Sequence, residues 1–234
     1  MLDKMMENDI KIIGFDADDT LWINEPFYQN AENEFCEILK PYFSVAEAHK
    51  ELFKTEIQNL EMYGYGAKGF ILSMIETALR ISGHKISSFD VTRILEIGRN
   101  LLNQPVVLLN NVEMVLQQLQ KKYKIILATK GDLLDQERKL VKSGLAKYFH
   151  HIEIMSDKQE NNYKKLIHHL DIEPRDFIMI GNSIKSDILP VINIGAKAIH
   201  VPFETTWLHE KIHEKTDQSR FVTVSNLDEV LKLL

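Results

Sequence analysis

Lys11-Ile12-Ile13-Gly14-Phe15-Asp16-Ala17-Asp18-Asp19-Thr20-Leu21 is an apolar, β-rich run that ends abruptly in three carboxylates within four residues. Two ionised carboxylates about 4 Å apart repel by roughly 4 kcal/mol at an effective dielectric near 20. A fold tolerates this where a cation lies between them or one acid stays protonated, and both situations are common in active sites. The plain alternative is a strand followed by a solvated acidic turn. The rest of the chain decides between the two.

At 234 residues the chain can form one large domain or a domain plus a smaller one. Its formal charge of −6 argues against a nucleic-acid polymer as partner. A small phosphorylated molecule stays compatible, because a local cluster of donors can outweigh the net sign. Cys36 is the only cysteine, so no intramolecular disulfide can form and a reducing compartment is expected. It sits at helical spacing among Tyr28, Ala31, Phe35, Leu39 and Tyr42 and is read as a helix residue. Met1 to Asp9 lacks the basic-then-apolar layout of a secretion signal. No apolar run reaches membrane-spanning length. A cytoplasmic protein without a membrane partner is expected, while oligomeric state has no readable pattern.

Ile10 to Phe15 reads as a buried strand. From Pro26 to about Asn103 apolar residues recur at helical spacing. The spacing predicts helices over Phe27–Leu39, from the capping box at Ser44 to Leu60 or Met62, over the stripe Phe70–Leu79, and from the cap at Ser87 to Leu102. This block, residues 23–103, reads as an inserted helical bundle. Within it Tyr63-Gly64-Tyr65-Gly66-Ala67-Lys68-Gly69 is either a flexible connection or a loop that closes over a ligand, with Lys68 facing an anion.

From Val106 strands and helices alternate. Strands are expected at Lys124–Ala128, His151–Met155, Phe177–Ile180 and Ala196–Val201. Helices are expected around Val112–Leu119, Asp132–Lys142, Asn161–Leu170 and Ser183–Ile192. The fold expected is α/β: a Rossmann-like parallel sheet with helices on both faces, formed by residues 1–22 and 104–234. In such a sheet, ligands bind beyond the carboxyl ends of the strands. The first strand runs into Asp16-Ala17-Asp18 and the second into Thr129-Lys130-Gly131-Asp132. The third runs into Ser156-Asp157-Lys158 and the fourth into Gly181-Asn182-Ser183-Ile184-Lys185-Ser186-Asp187. Acid, hydroxyl, amine and acid thus share one edge.

In this order those residues resemble the four motifs of the haloacid dehalogenase superfamily, with the helical block where one class of its members carries a cap. The residue before Thr20 is similar to that of the pyrimidine nucleotidase branch. The resemblance implies that Asp16 attacks phosphorus and carries an aspartyl-phosphate. It implies that Asp18 protonates the leaving oxygen and later deprotonates water. Magnesium would be held by Asp16, Asp18 through its carbonyl, Asp187 and Asn182. Thr129 and Lys130 would meet the phosphoryl group with Lys158, and Lys68 would contact the rest of the substrate.

Two features depart from the family pattern. An acid usually stands where Asn182 does, so the metal site carries one charge less. The motif lysine could be Lys158 or Lys164; Lys158 follows its strand almost directly and is preferred. The adjacent pairs His150-His151 and His168-His169 lack the spacing of a helical metal motif and are read as structural or solvated. Asp132 is read as a helix cap and Trp207-Leu208-His209 as a packed surface segment. The leading function is a magnesium-dependent phosphatase acting on a small phosphomonoester of the nucleotide or sugar-phosphate class. The alternatives are a metal-independent 2-haloacid dehalogenase, which Asp18 argues against, and a catalytically weak binding or regulatory protein, which Asn182 alone favours.

Overall fold

The computed structural model describes residues 10–212 and 217–234. The stretch Met1 to Asp9, read for a secretion signal, lies outside the described residues. No helix among the described residues is long and apolar enough to cross a membrane.

Strands β1 (Ile12–Phe15), β2 (Lys124–Lys130), β3 (His151–Met155), β4 (Phe177–Gly181), β5 (Lys197–His200) and β6 (Val222–Thr223) form one sheet in the order β3-β2-β1-β4-β5-β6. Every neighbouring pair is parallel. The chain enters at the centre, winds outward through β2 and β3, then crosses to β4 and winds the other way. The strand order therefore reverses between β1 and β4, where an open α/β sheet leaves its crevice. Side chains alternate across β1: Ile13 and Phe15 join an apolar layer with Leu116, Leu127 and Ile180. Ile12 joins the opposite layer with Tyr163, Leu166, Phe177 and Met179. Both faces are thus covered by helices, as the uninterrupted apolar strands require.

The chain divides into two compact units. One holds the residues up to Ile23, Val106–Lys130 and Gln136–Leu234, and contains the sheet; the other holds Asn24–Pro105 and Gly131–Asp135. The second unit is built from α1 (Glu25–Leu39), α2 (Val45–Tyr63), α3 (Ala67–Ile81) and α4 (Ser88–Leu102). Phe35, Leu39, Leu52, Met74 and Ile94 form its own core, with Cys36 buried among them. Ser44 starts α2 with a reciprocal capping box to Glu47, and the Ser87 hydroxyl starts α4 by accepting the Asp90 N–H at 3.0 Å. Beyond α4, α5 (Val112–Leu119) precedes β2. Gly131–Asp135 reads from sequence as part of the core, yet it clusters with the helices. The Lys68 ammonium meets Asp132 at 3.0 Å.

Three differences from expectation have identifiable reasons. β2 runs on to Lys130, because Thr129 pairs with Ile154 and Lys130 with Met155. In place of one helix over 183–192 there is a π-turn (Ile184–Ile188) followed by a short helix (Leu189–Asn193). Pro190 has no N–H to give the Ser186 carbonyl four residues earlier, and that carbonyl accepts the buried Tyr163 hydroxyl at 3.0 Å. Finally, β6 is only two residues long, too short for any periodicity to be read.

Candidate active site

The reversal of strand order puts the ends of β1 and β4 side by side, and the Asp16 N–H donates to the Ile180 carbonyl at 2.9 Å. Beyond Asp16 the chain turns tightly. The N–H groups of Thr20, Leu21 and Trp22 converge on the Ala17 carbonyl, and Asp19 takes a left-handed φ of 61°, a conformation Asp tolerates better than most residues. The turn brings the Thr20 hydroxyl to 3.0 Å from Asp16 Oδ2 and 3.3 Å from Asn182 Oδ1, while it accepts the Asn182 N–H at 3.1 Å. Thr20 therefore stitches the first acidic turn to the loop after β4, a role that nothing in its sequence position announced.

At the centre is Lys158, whose side chain is only 1% exposed. Its ammonium lies 2.5 Å from Asp16 Oδ1 and 2.6 Å from Asp187 Oδ1. Asp187 Oδ2 accepts the Ser183 N–H at 2.9 Å. Gly181 makes room for that carboxylate: a Cβ there would stand 2.4 Å from the Asp187 carboxyl carbon. Burial, then the charge of Asp187, push the Asp16 carboxyl up to about 7 against the pull of Lys158. Burial works against the Lys158 charge, but the two carboxylates outweigh it and hold the ammonium well above its ordinary range. Lys164 lies on α7 (Glu160–His169), with its side chain 58% exposed and 3.9 Å from Glu160.

Asp18 is held from three sides. Oδ1 accepts the Trp22 indole N–H at 2.6 Å and Lys139 at 2.9 Å, and Oδ2 accepts Gln136 at 2.8 Å and Lys139 at 3.1 Å. Gln136 and Lys139 lie three residues apart on α6 (Leu133–Ser143), hence on one face of it. Their partner is more than a hundred residues away along the chain. Thr129 is buried near the end of β2. Since Leu127 pairs with Phe15, Thr129 lies level with the residue after Asp16. Lys130 directs its ammonium to Glu210 at 2.5 Å and the Ser186 hydroxyl at 2.9 Å. Lys68 lies in the other unit, paired with Asp132, which also caps α6 by accepting the Asp135 N–H at 3.0 Å.

Glu210 was not legible in sequence. It ends a single turn, Leu208–Glu210, and its second oxygen accepts the hydroxyls of Ser183 at 2.5 Å and Ser186 at 2.7 Å. Burial pushes its carboxyl up, yet Lys130 and the two serines outweigh that and bring it from 4.5 down to about 2. A depressed folded value stabilises the fold above pH 4.5, and the contribution fades as pH falls from 4.5 to about 2. Glu210→Gln is therefore expected to lower the unfolding free energy by about 2–3 kcal/mol at neutral pH. In denaturant titrations the gap from wild type should narrow as pH drops below 4.5. A gap that is constant with pH would show that the carboxylate charge is not what holds this segment.

The donors around Asp16 are all oxygens: two buried carboxylates, the Asn182 amide oxygen and the backbone of the acidic turn. One ammonium is shared between the two acids, which leaves the cluster a net negative charge. Such a set fits a hard divalent cation and suits a softer, nitrogen- or sulfur-preferring one poorly.

A family profile described as haloacid dehalogenase-like hydrolase matches residues 10–195. A haloacid dehalogenase-like family hydrolase from Xanthomonas campestris superposes with a TM-score of 0.85 at 37% identity, over 97% of this chain and 93% of that one. YfnB from Bacillus subtilis, in a structure bound to magnesium, shares the fold at a TM-score of 0.68 and 16% identity, over 97% and 99% of the two chains. The N-acylneuraminate-9-phosphatase of Mus musculus is 29% identical over 112 residues, 46% of this chain. That match spans 43% of the mouse protein, less than half the length of the relative.

Proposed function

This chain belongs to the haloacid dehalogenase-like hydrolase family, and from that membership we propose that it hydrolyses a small phosphomonoester with the help of magnesium. The observation that carries the proposal is the Lys158 ammonium set between Asp16 and Asp187, in a cluster of oxygens that is still short of positive charge. Asp16 is the proposed nucleophile: its carboxylate oxygen forms a bond to phosphorus as the bond to the leaving oxygen breaks. Asp18 supplies the proton to that leaving oxygen and takes one from the water that then releases phosphate. In the structure four donor contacts fill the positions around the two Asp18 oxygens. Carrying a proton requires one donor to withdraw, and the long Lys139 side chain can swing furthest. Thr129 and Lys158 are assigned to the phosphoryl oxygens.

Asp16, Asp187, the Asp18 carbonyl and Asn182 are the residues proposed to hold magnesium. When bound, the ion neutralises charge on the phosphoryl group. Lys130, expected at the substrate, is occupied by Glu210 and Ser186 and is assigned to holding the edge of the site. The mouse relative is named as a phosphatase of N-acylneuraminate 9-phosphate, so sugar phosphates are proposed ahead of nucleotides as the substrate class. The inserted helical unit is assigned the cap, on its place in the chain between β1 and α5, with Lys68 as its specificity contact. A cytoplasmic location is part of the same reading.

Release of phosphate from a panel of phosphomonoesters, with magnesium and after chelation, tests the proposal. Metal-dependent release is expected, strongest on sugar phosphates. Halide release from 2-haloacids without metal would replace the proposal with a dehalogenase, and silence on both substrates would reduce the protein to a binding member of its family.

A further inference from the structure

The two histidine pairs look unpromising along the chain, yet one member of each meets the other in space. His151 opens β3 and Glu153 lies two residues further on, so both project from the same face of the strand. His169 is the last residue of α7. His151 Nε2 lies 2.9 Å from Glu153 Oε2. The His151 and His169 rings meet edge to face, with centroids 5.3 Å apart and planes at 66°. One ligand atom from each of the three residues lies within 4.8 Å of the other two.

Two imidazole nitrogens and one carboxylate oxygen form a donor set that favours zinc-class ions, unlike the oxygen-only set around Asp16. A tetrahedral ion with bonds of about 2.1 Å needs its ligand atoms about 3.4 Å apart. A small rotation of the exposed His169 side chain would close the remaining distance. The side chains of His151 and Glu153 are 30% and 31% exposed and His169 is exposed, which leaves a way in for the ion and room for a water as fourth ligand. β3 is one of the two outer strands of the sheet and His151 is at its start, whereas Lys158 follows its opposite end. The cluster is thus separate from the Asp16 site.

We propose that His151, Glu153 and His169 bind one zinc-class divalent cation, which clamps the end of α7 to the outer strand β3. Such a clip would stabilise the folded chain by an amount that grows with the logarithm of the ion's concentration above its dissociation constant.

The test uses the full-length chain, stripped of metal and returned to excess magnesium, titrated with zinc by calorimetry and with cobalt by visible absorption. The wild type is expected to show a zinc-dependent rise in unfolding temperature and the cobalt absorption of a four-coordinate, imidazole-bound ion. His169→Gln, at an exposed position, and Glu153→Gln should each weaken zinc binding by about tenfold or more and should lose both the thermal shift and the cobalt band. Unchanged zinc binding in His169→Gln would overturn the proposal by placing the ion elsewhere. Wild-type binding seen only at millimolar zinc, an adventitious ion only, would overturn it as well.

Discussion

Asp16→Asn is expected to lower phosphomonoester turnover by at least about 10³-fold while leaving the unfolding temperature within a few degrees of wild type. The loss follows from chemistry: a neutral amide oxygen is a far weaker nucleophile toward phosphorus than a carboxylate. The retained stability follows from the geometry of the cluster. Asn keeps an oxygen to accept Lys158 where Asp16 Oδ1 does, 2.5 Å away. Its amide can face the Thr20 hydroxyl, which accepts it and turns its own proton to Asn182 Oδ1, 3.3 Å distant. The substitution also removes one of the two acids that share Lys158, leaving that ammonium matched one to one with Asp187. Asp16→Ala would confuse loss of the proposed nucleophile with a cavity and unpaired donors, so Asn is the informative change. Steady-state kinetics together with thermal unfolding decide the matter. Near-normal rates in a folded variant would remove Asp16 from the role of nucleophile.

The part of this site that the sequence displayed was whatever lies next to a strand end. Asp16, Thr129 and Lys158 closely follow or finish an apolar run, Asp187 comes in the turn beyond the end of β4, and the parallel topology draws all those ends to one edge. Lys158 was preferred to Lys164 on that ground, and in the structure the first is buried between two acids while the second is exposed. The residues that orient these groups were illegible for a common physical reason. Gln136 and Lys139 lie on one helix face more than a hundred residues from Asp18, and only the fold carries that face to it. Glu210 sits in a stretch with neither helical nor strand period, so no pattern aimed it at Ser183 and Ser186. The π-turn that carries Asp187 depends on a proline and on a tyrosine hydroxyl donated from another helix, a long-range compensation that local spacing does not encode. Helix boundaries fared better where a local hydrogen bond sets them, as at Ser44 and Ser87.

Lys158→Met should have the opposite thermodynamic outcome to Asp16→Asn, though both remove one charge from the same cluster. Methionine fills a similar unbranched volume, so lost packing is small. The remaining charges are two buried carboxylates that had faced each other across the ammonium, now with no cation between them. Removing one partner from a buried ion pair typically costs about 3–5 kcal/mol, which for a chain of this size lowers the unfolding temperature by roughly 10 °C. Turnover should fall at least about 10²-fold, because the group proposed to face the phosphoryl charge is gone. The decisive comparison is the double variant Asp16→Asn with Lys158→Met, measured without metal. Counting Asp16, Asp187 and Lys158 in their ionised forms, the cluster's net charge is −1 in wild type, 0 in Asp16→Asn, −2 in Lys158→Met and −1 in the double variant. Because the Asp16 carboxyl is already pushed up to about 7, Lys158→Met carries the full −2 only at alkaline pH, where the comparison is made. Electrostatic coupling therefore requires the double variant to be more stable than Lys158→Met alone, a non-additivity that a thermodynamic cycle measures directly. Strictly additive effects would mean that Lys158 stabilises the core by packing alone, and the charge argument that makes this cluster a site for a cation and a phosphoryl group would fall with it.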